Sequence, residues 1–198
     1  MSWNEKETFS FLEEFLNHVR TAKVTDCAGE DMPLVRGIEN VVQLITGLPK
    51  TEGTLIFIGN GGSAAIASHQ ATDFLKTCGI RAYAPLDHSL LTCFANDCGY
   101  ENVFVEPLKI LAKKTDVLVA ISSSGQSTNI LHAARMVKEK GCRVITLSGF
   151  KEENPLRKLG DVNFHIPSHS YRIVESAHLF ICNWLLEFSI RVKQQKEI

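Results

Sequence analysis

The chain has 198 residues, a formal net charge of −1 at pH 7 and 44% hydrophobic residues. That fits one domain with a substantial core and offers no bulk attraction to nucleic acid or to a membrane surface. The polar, acidic start does not read as a secretory signal, and no apolar run reads as long enough to span a bilayer, so the expectation is a cytoplasmic protein. Cys27, Cys78, Cys93, Cys98, Cys142 and Cys182 form no Cys-x-x-Cys pair and read as free thiols in or near the core.

Residues 1–50 carry no chemical motif. Leu12, Phe15, Leu16 and Val19 have helical spacing over residues 3–20. Residues 21–33 are polar, contain Gly29 and end in Pro33, which reads as a linker. Ile38, Val41, Val42 and Ile45 predict a second helix over 34–46, closed by Gly47 and Pro49. These two helices must bury their faces on the main domain or on another subunit.

From residue 54 strands and helices alternate. The spacing predicts strands near 54–58, 81–86, 116–121, 143–147 and 162–166. Helices are expected over 64–77, 89–96, 101–113 and from 128 to about 140, with a helical turn at 156–159. Residues 171–192 form one long C-terminal helix, apolar almost all round and so buried on more than one side. Alternation of this kind implies a parallel sheet covered by helices on both faces. The expected architecture is a single α/β domain over 1–198: a three-layer sandwich with a five-stranded parallel sheet, preceded by two N-terminal helices.

Two loops stand at the carboxyl ends of predicted strands, where open parallel sheets bind ligands. One is Gly59, Asn60, Gly61, Gly62 and Ser63; the other is Ser122, Ser123, Ser124, Gly125, Gln126 and Ser127. Backbone N–H groups at a helix start, with the helix dipole and serine hydroxyls, make an anion cradle. The cradle lacks Lys and Arg, so it would hold a phosphate through neutral donors. A glycine-rich turn can also serve only to pack strand on helix. The absence of a Walker lysine and of G-x-G-x-x-G spacing points away from nucleoside triphosphates and NAD, and toward a phosphorylated small molecule. Asn96 and Asp97 end a helical pattern; Asp97 could cap the next helix, or the pair could bind substrate hydroxyls.

These stretches, together with Ile166, Pro167 and Ser168, resemble the sugar isomerase (SIS) fold, and within it the phosphoheptose isomerase branch. The resemblance spans nearly the whole chain. It implies a homotetramer with active sites between subunits, acting on a phosphorylated sugar such as sedoheptulose 7-phosphate. It implies phosphate binding by Ser122, Ser123, Ser124 and Ser127, and substrate binding by Asn60, Gly61, Gly62, Asn96 and Asp97, with Ser63 beside them.

The family places a His and a Glu one turn apart on the helix after the first loop, and a Gln and a His eight residues apart on the last helix. These hold zinc, and the Glu and last His transfer protons. Here the first pair reads His69 and Asp73, on one helix face. Anchoring the last helix on His178 puts Glu175 at the Gln position and Asn183 at the final His; anchoring on Arg172 and Ile173 gives Val174 instead. Glu175 is preferred because Val offers no ligand atom. His69 alone is intact. Asp73 can act as base; Asn183 cannot transfer a proton at neutral pH but can donate a hydrogen bond. His178 is either a replacement proton carrier or a packed core histidine. His69, Asp73 and Glu175 are a credible zinc set with an open position, and they would also admit manganese or iron; alternatively His69 and Asp73 simply bond each other.

The leading reading is an aldose–ketose isomerase of a sugar phosphate, working through an enediol. One alternative is a non-catalytic phosphosugar- or protein-binding module, of the type associated with the replication initiator. Another is an amino-sugar phosphate isomerase or lyase.

Overall fold

The computed structural model describes residues 4–196; Trp3, where the first helix is expected to begin, lies outside them. Helix α1 (Glu5–Arg20) starts with a capping box: the Asn4 side chain accepts from the Glu7 N–H at 2.8 Å, and the Glu7 carboxylate accepts from the Asn4 N–H at 3.1 Å. The expected linker then forms two strands, β1 (Lys23–Asp26) and β2 (Asp31–Met32), paired antiparallel. Asp26 shapes their turn by accepting from the N–H groups of Ala28 and Glu30. Strands this short carry no readable alternation. What fixes β1 is tertiary: it pairs with the last strand of the sheet, and Val24 is buried against the bare Cα of Gly37.

Helix α2 (Leu34–Thr51) runs past the expected stop. Pro49 falls in its last turn, where a missing N–H forfeits one bond, and burial of Ile45 and Leu48 holds that turn in place. The rest follows as β3 (Leu55–Ile58), α3 (Gly62–Cys78), β4 (Ala82–Tyr83), α4 (His88–Cys98), α5 (Val105–Leu111), β5 (Val117–Ser122), α6 (Thr128–Glu139), β6 (Arg143–Ser148), β7 (Val162–His165) and α7 (Tyr171–Lys196). Short 3₁₀ turns lie at Tyr100–Asn102 and Pro155–Lys158.

The sheet has seven strands in the order β2-β1-β7-β6-β5-β3-β4. The five from β7 to β4 are parallel, as expected; the additional two are the antiparallel pair. Successive residues of the central strands feed opposite cores. Phe57, Val119, Ile145 and Phe164 pack with Ile45, Phe74 and Ile181 of α2, α3 and α7. Ile56, Ile58, Leu118 and Val144 pack with Leu108 of α5 and with Ala134 and Val137 of α6. Both faces are therefore covered, the condition under which parallel strands read as unbroken apolar runs.

Helix α7 is long and apolar enough to meet the length and hydropathy criterion of a membrane span, against the expectation of no such run. Its inward residues Ile173, Val174, Ala177, Ile181 and Leu185 are packed in the domain core. The six cysteines are free; Cys78, Cys142 and Cys182 are buried, whereas Cys27 and Cys93 are exposed.

Candidate active site

β5 delivers Ser122 to the carboxyl edge of the sheet, and the chain turns through Ser123, Ser124 and Gly125 into α6. Gly125 has φ +63°, and a side chain there would collide with the buried Asn154. Two backbone bonds fix the turn from behind: Gly149 N–H donates to the Ser123 carbonyl at 2.9 Å, and Leu156 N–H to the Gly125 carbonyl at 3.1 Å. Asn154 braces the same place, donating to Ser148 Oγ at 3.1 Å and to the Lys151 carbonyl at 2.9 Å. The hydroxyls of Ser122 and Ser127 stand 3.2 Å apart. Ser124 Oγ accepts from the Gln126 N–H. Ser123 Oγ is buried with no partner, a cost the fold accepts where a ligand supplies the missing bond.

The serines form one wall of a recess of ≈ 120 Å³, with Asn60, Ser63, Tyr171 and Glu175 on the others. Asn60 is locked by a reciprocal amide pair with Asn129, both bonds 2.9 Å, and by the Tyr100 hydroxyl donating at 3.0 Å. At the start of α3 the glycines serve closeness: the Glu175 carboxylate rests on Gly62, leaving no room for a Cβ. Of the two possible anchorings of α7, Val174 is fully buried against Gly149 and Glu175 faces the recess. Sequence reasoning missed Asn129, Tyr100, Tyr171 and Asn154. Asn129 stood two residues past the serine loop; the others carried no local signal.

The expected chemical residues lie elsewhere in the chain. His69 Nε2 and Asp73 Oδ2 are 3.2 Å apart on α3, with side chains 58% and 29% exposed. α3 and α7 lie side by side and parallel: Gly62 meets Glu175, and further along the buried Gln70 donates to Asn183 Oδ1 at 2.6 Å. At about 1.5 Å per residue, His69 and Asp73 sit about 10 Å and about 16 Å along α3 from Gly62. The expected metal set of His69, Asp73 and Glu175 is therefore not assembled within one chain. Among the described residues, no three His, Cys, Asp or Glu side chains are grouped to hold a metal ion.

Asn96 and Asp97 are exposed and outside the lining of the recess. Asp97 does not cap the following turn, whose N-cap is Gly99; it accepts from the Asn96 side chain at 2.7 Å. His178 is wholly buried in the core, where its Nε2–H donates to the Ser148 carbonyl at 3.1 Å. Burial pushes its pKa down to about 4, countered in part by that bond, and His165 beside it is lowered mainly by burial as well. His178 is thus a neutral core histidine away from the recess, not a proton carrier within it.

Comparison with known proteins matches the SIS domain over residues 33–149. The chain is 33% identical over 177 residues to the phosphoheptose isomerase of Aliarcobacter butzleri, covering 86% of this chain and 90% of that one. The chain belongs to the SIS domain family. Within that family its relatives are phosphoheptose isomerases: that of Helicobacter pylori strain P12 is 31% identical over 181 residues, covering 88% of this chain and 91% of the relative. Among solved SIS structures, the phosphoheptose isomerase of Neisseria gonorrhoeae superposes with a TM-score of 0.80 at 25% identity, covering 93% of this chain and 98% of the other.

Proposed function

We propose that this SIS protein interconverts an open-chain ketose phosphate and its aldose, with sedoheptulose 7-phosphate as the first substrate to test. The membership supports the coarser statement directly: the protein is a phosphosugar isomerase. The observation that carries the substrate class is the hydroxyl cradle at residues 122–127, with the unpartnered Ser123 Oγ at its centre. It offers neutral donors to a phosphate that must also leave.

Isomerisation moves a proton between adjacent carbons, which needs a base at carbon and a donor at the carbonyl. Asp73 is the candidate base, with His69 orienting its carboxylate at 3.2 Å. Asn183 spends its oxygen on Gln70, which leaves its N–H₂ to donate to a developing oxyanion. The distance from the recess to Asp73 along α3 exceeds the reach of an open-chain sugar phosphate, which favours a site completed by a second copy of the chain. α1 supports such pairing: Phe9 and Leu12, one turn apart on one face, and Phe11 on another are about half exposed. By family resemblance the assembly is a homotetramer, with the reaction in the cytoplasm.

Among the described residues of one chain, His69 and Asp73 are the pair that could hold zinc; a third donor would come from a neighbouring copy. Metal analysis of protein purified without chelator addresses it separately. The deciding experiment is a coupled assay with sedoheptulose 7-phosphate and a panel of shorter ketose phosphates, run with zinc, manganese or iron supplied. Turnover of one of them is expected. Binding without turnover across the whole panel would move the protein to the non-catalytic, ligand-binding class.

A further inference from the structure

The recess has one anionic wall. The Glu175 carboxylate, projecting from α7, rests on Gly62 at the start of α3. The hydroxyls of Ser122, Ser123, Ser124 and Ser127 line the same ≈ 120 Å³. Serines and carboxylate line one small recess, so a phosphoryl group held by the serines lies beside Glu175. The other polar lining groups are Asn60 and Ser63 from the first loop and Tyr171 from α7; none of the lining residues is Lys, Arg or His. Among the described residues of this chain, no cation on the walls offsets the carboxylate.

A carboxylate can only accept. An oxyanion with no proton meets it as one negative charge against another in a confined space. An oxyanion that carries a P–OH can donate to it, forming a short charge-assisted bond. Phosphate monoesters have a second pKa near about 6, so their proton-bearing monoanion is accessible at neutral pH. Sulfate has no such form at neutral pH. The serines can donate to either ion, so they do not discriminate.

We propose that Glu175 is a specificity-determining residue: it makes the recess take a phosphoryl group as its proton-bearing monoanion, the P–OH donating to the carboxylate, and refuse sulfate. The inference rests on the phosphosugar reading above and deepens it. It also sets a direction for the ligand's titration, since binding weakens as the bound phosphoryl group is forced to give up its proton.

The test is competition by inorganic phosphate and by sulfate against sedoheptulose 7-phosphate, followed by calorimetry at constant ionic strength and neutral pH. In the unaltered protein sulfate is expected to compete on the order of thirtyfold more weakly than phosphate. In E175Q the amide can donate as well as accept, and the two ions should come within about threefold of each other. E175A, which removes the acceptor without replacing it, should move the ratio in the same direction. Equal competition in the unaltered protein, or an unchanged ratio in both variants, overturns the proposal while leaving sugar-phosphate binding intact. If neither sedoheptulose 7-phosphate nor phosphate binds the unaltered protein, the phosphosugar reading falls and this inference with it.

Discussion

The serine turn and the His69–Asp73 face of α3 are built to different standards. The turn is buried, bonded from behind through Ser123 and Gly125, and braced by Asn154; every part of it comes from one chain. The α3 face is open, with a single 3.2 Å contact between two partly exposed side chains and, among the described residues, no third group that completes a metal site. The contrast teaches where each kind of precision is stored. Holding a phosphate is a local task that a strand, a turn and a helix start accomplish together. Moving a proton needs groups aligned on the scale of 1 Å, and here His69 and Asp73 hold each other on an open helix face.

The sharpest way to break this contrast is Asp73→Asn. Turnover should fall by about 10²–10⁴-fold while calorimetric binding of the sugar phosphate persists; unchanged turnover would remove Asp73 from the chemistry. Gly125→Ala attacks the other side. A left-handed φ costs an L-residue about 1–2 kcal/mol, and the methyl also meets Asn154. A loss of about 3 kcal/mol in chemical denaturation is expected, with phosphate binding weakened alongside it. A normal stability would mean that the turn is less tightly braced than its contacts indicate.

The boundary between site and core is sharpened by pH. His178 has its folded-state pKa depressed to about 4 by burial, against about 6.5 when unfolded. The unfolded chain therefore binds the extra proton first as pH falls. Stability is complete above about pH 6.5 and is lost progressively toward pH 4, with about 2 kcal/mol gone at pH 5 from this residue alone. His165 is shifted in the same direction and adds to the slope. Denaturation midpoints measured from pH 7 to pH 5 should show the decline, and His178→Gln should flatten it. A flat profile in the unaltered protein would contradict a neutral, desolvated His178. The smallest effect is Ser123→Ala. It removes one donor to the bound phosphate and should weaken binding by about fivefold, close to 1 kcal/mol, with little change in stability because Ser123 Oγ has no partner in the folded chain.

Most of the parallel architecture was legible because buried parallel strands are short unbroken apolar runs, and 55–58, 117–121 and 143–147 each read that way. The serine turn was legible because its residue types are its chemistry. What escaped the sequence was set by distant partners. β1 exists because β7 offers it an edge, and α2 outruns Pro49 because Leu48 is anchored in the core. Tyr171 reaches the recess, and Asn129 locks Asn60 in its wall, through packing that no spacing encodes. His178 shows the reverse case: a family histidine at a suggestive position proves to be a core residue once its burial is known. Within one chain His69, Asp73 and Glu175 do not meet, since Glu175 rests on α3 at its first residue and the other two lie turns away.

The strands β1 and β2 have an effect beyond filling out the sheet. They lie over the side of β7 that would otherwise be a free four-residue rim, and the outermost strand there, β2, is only two residues long. At the opposite margin β4 is equally short. A sheet finished at both ends by such stubs offers little backbone for another chain to zip onto. Pairing of copies, as proposed above, would therefore fall to side chains on helix faces, such as Phe9, Phe11 and Leu12 of α1. Association can then be tuned, strengthened or abolished by surface substitutions that leave every strand pairing untouched.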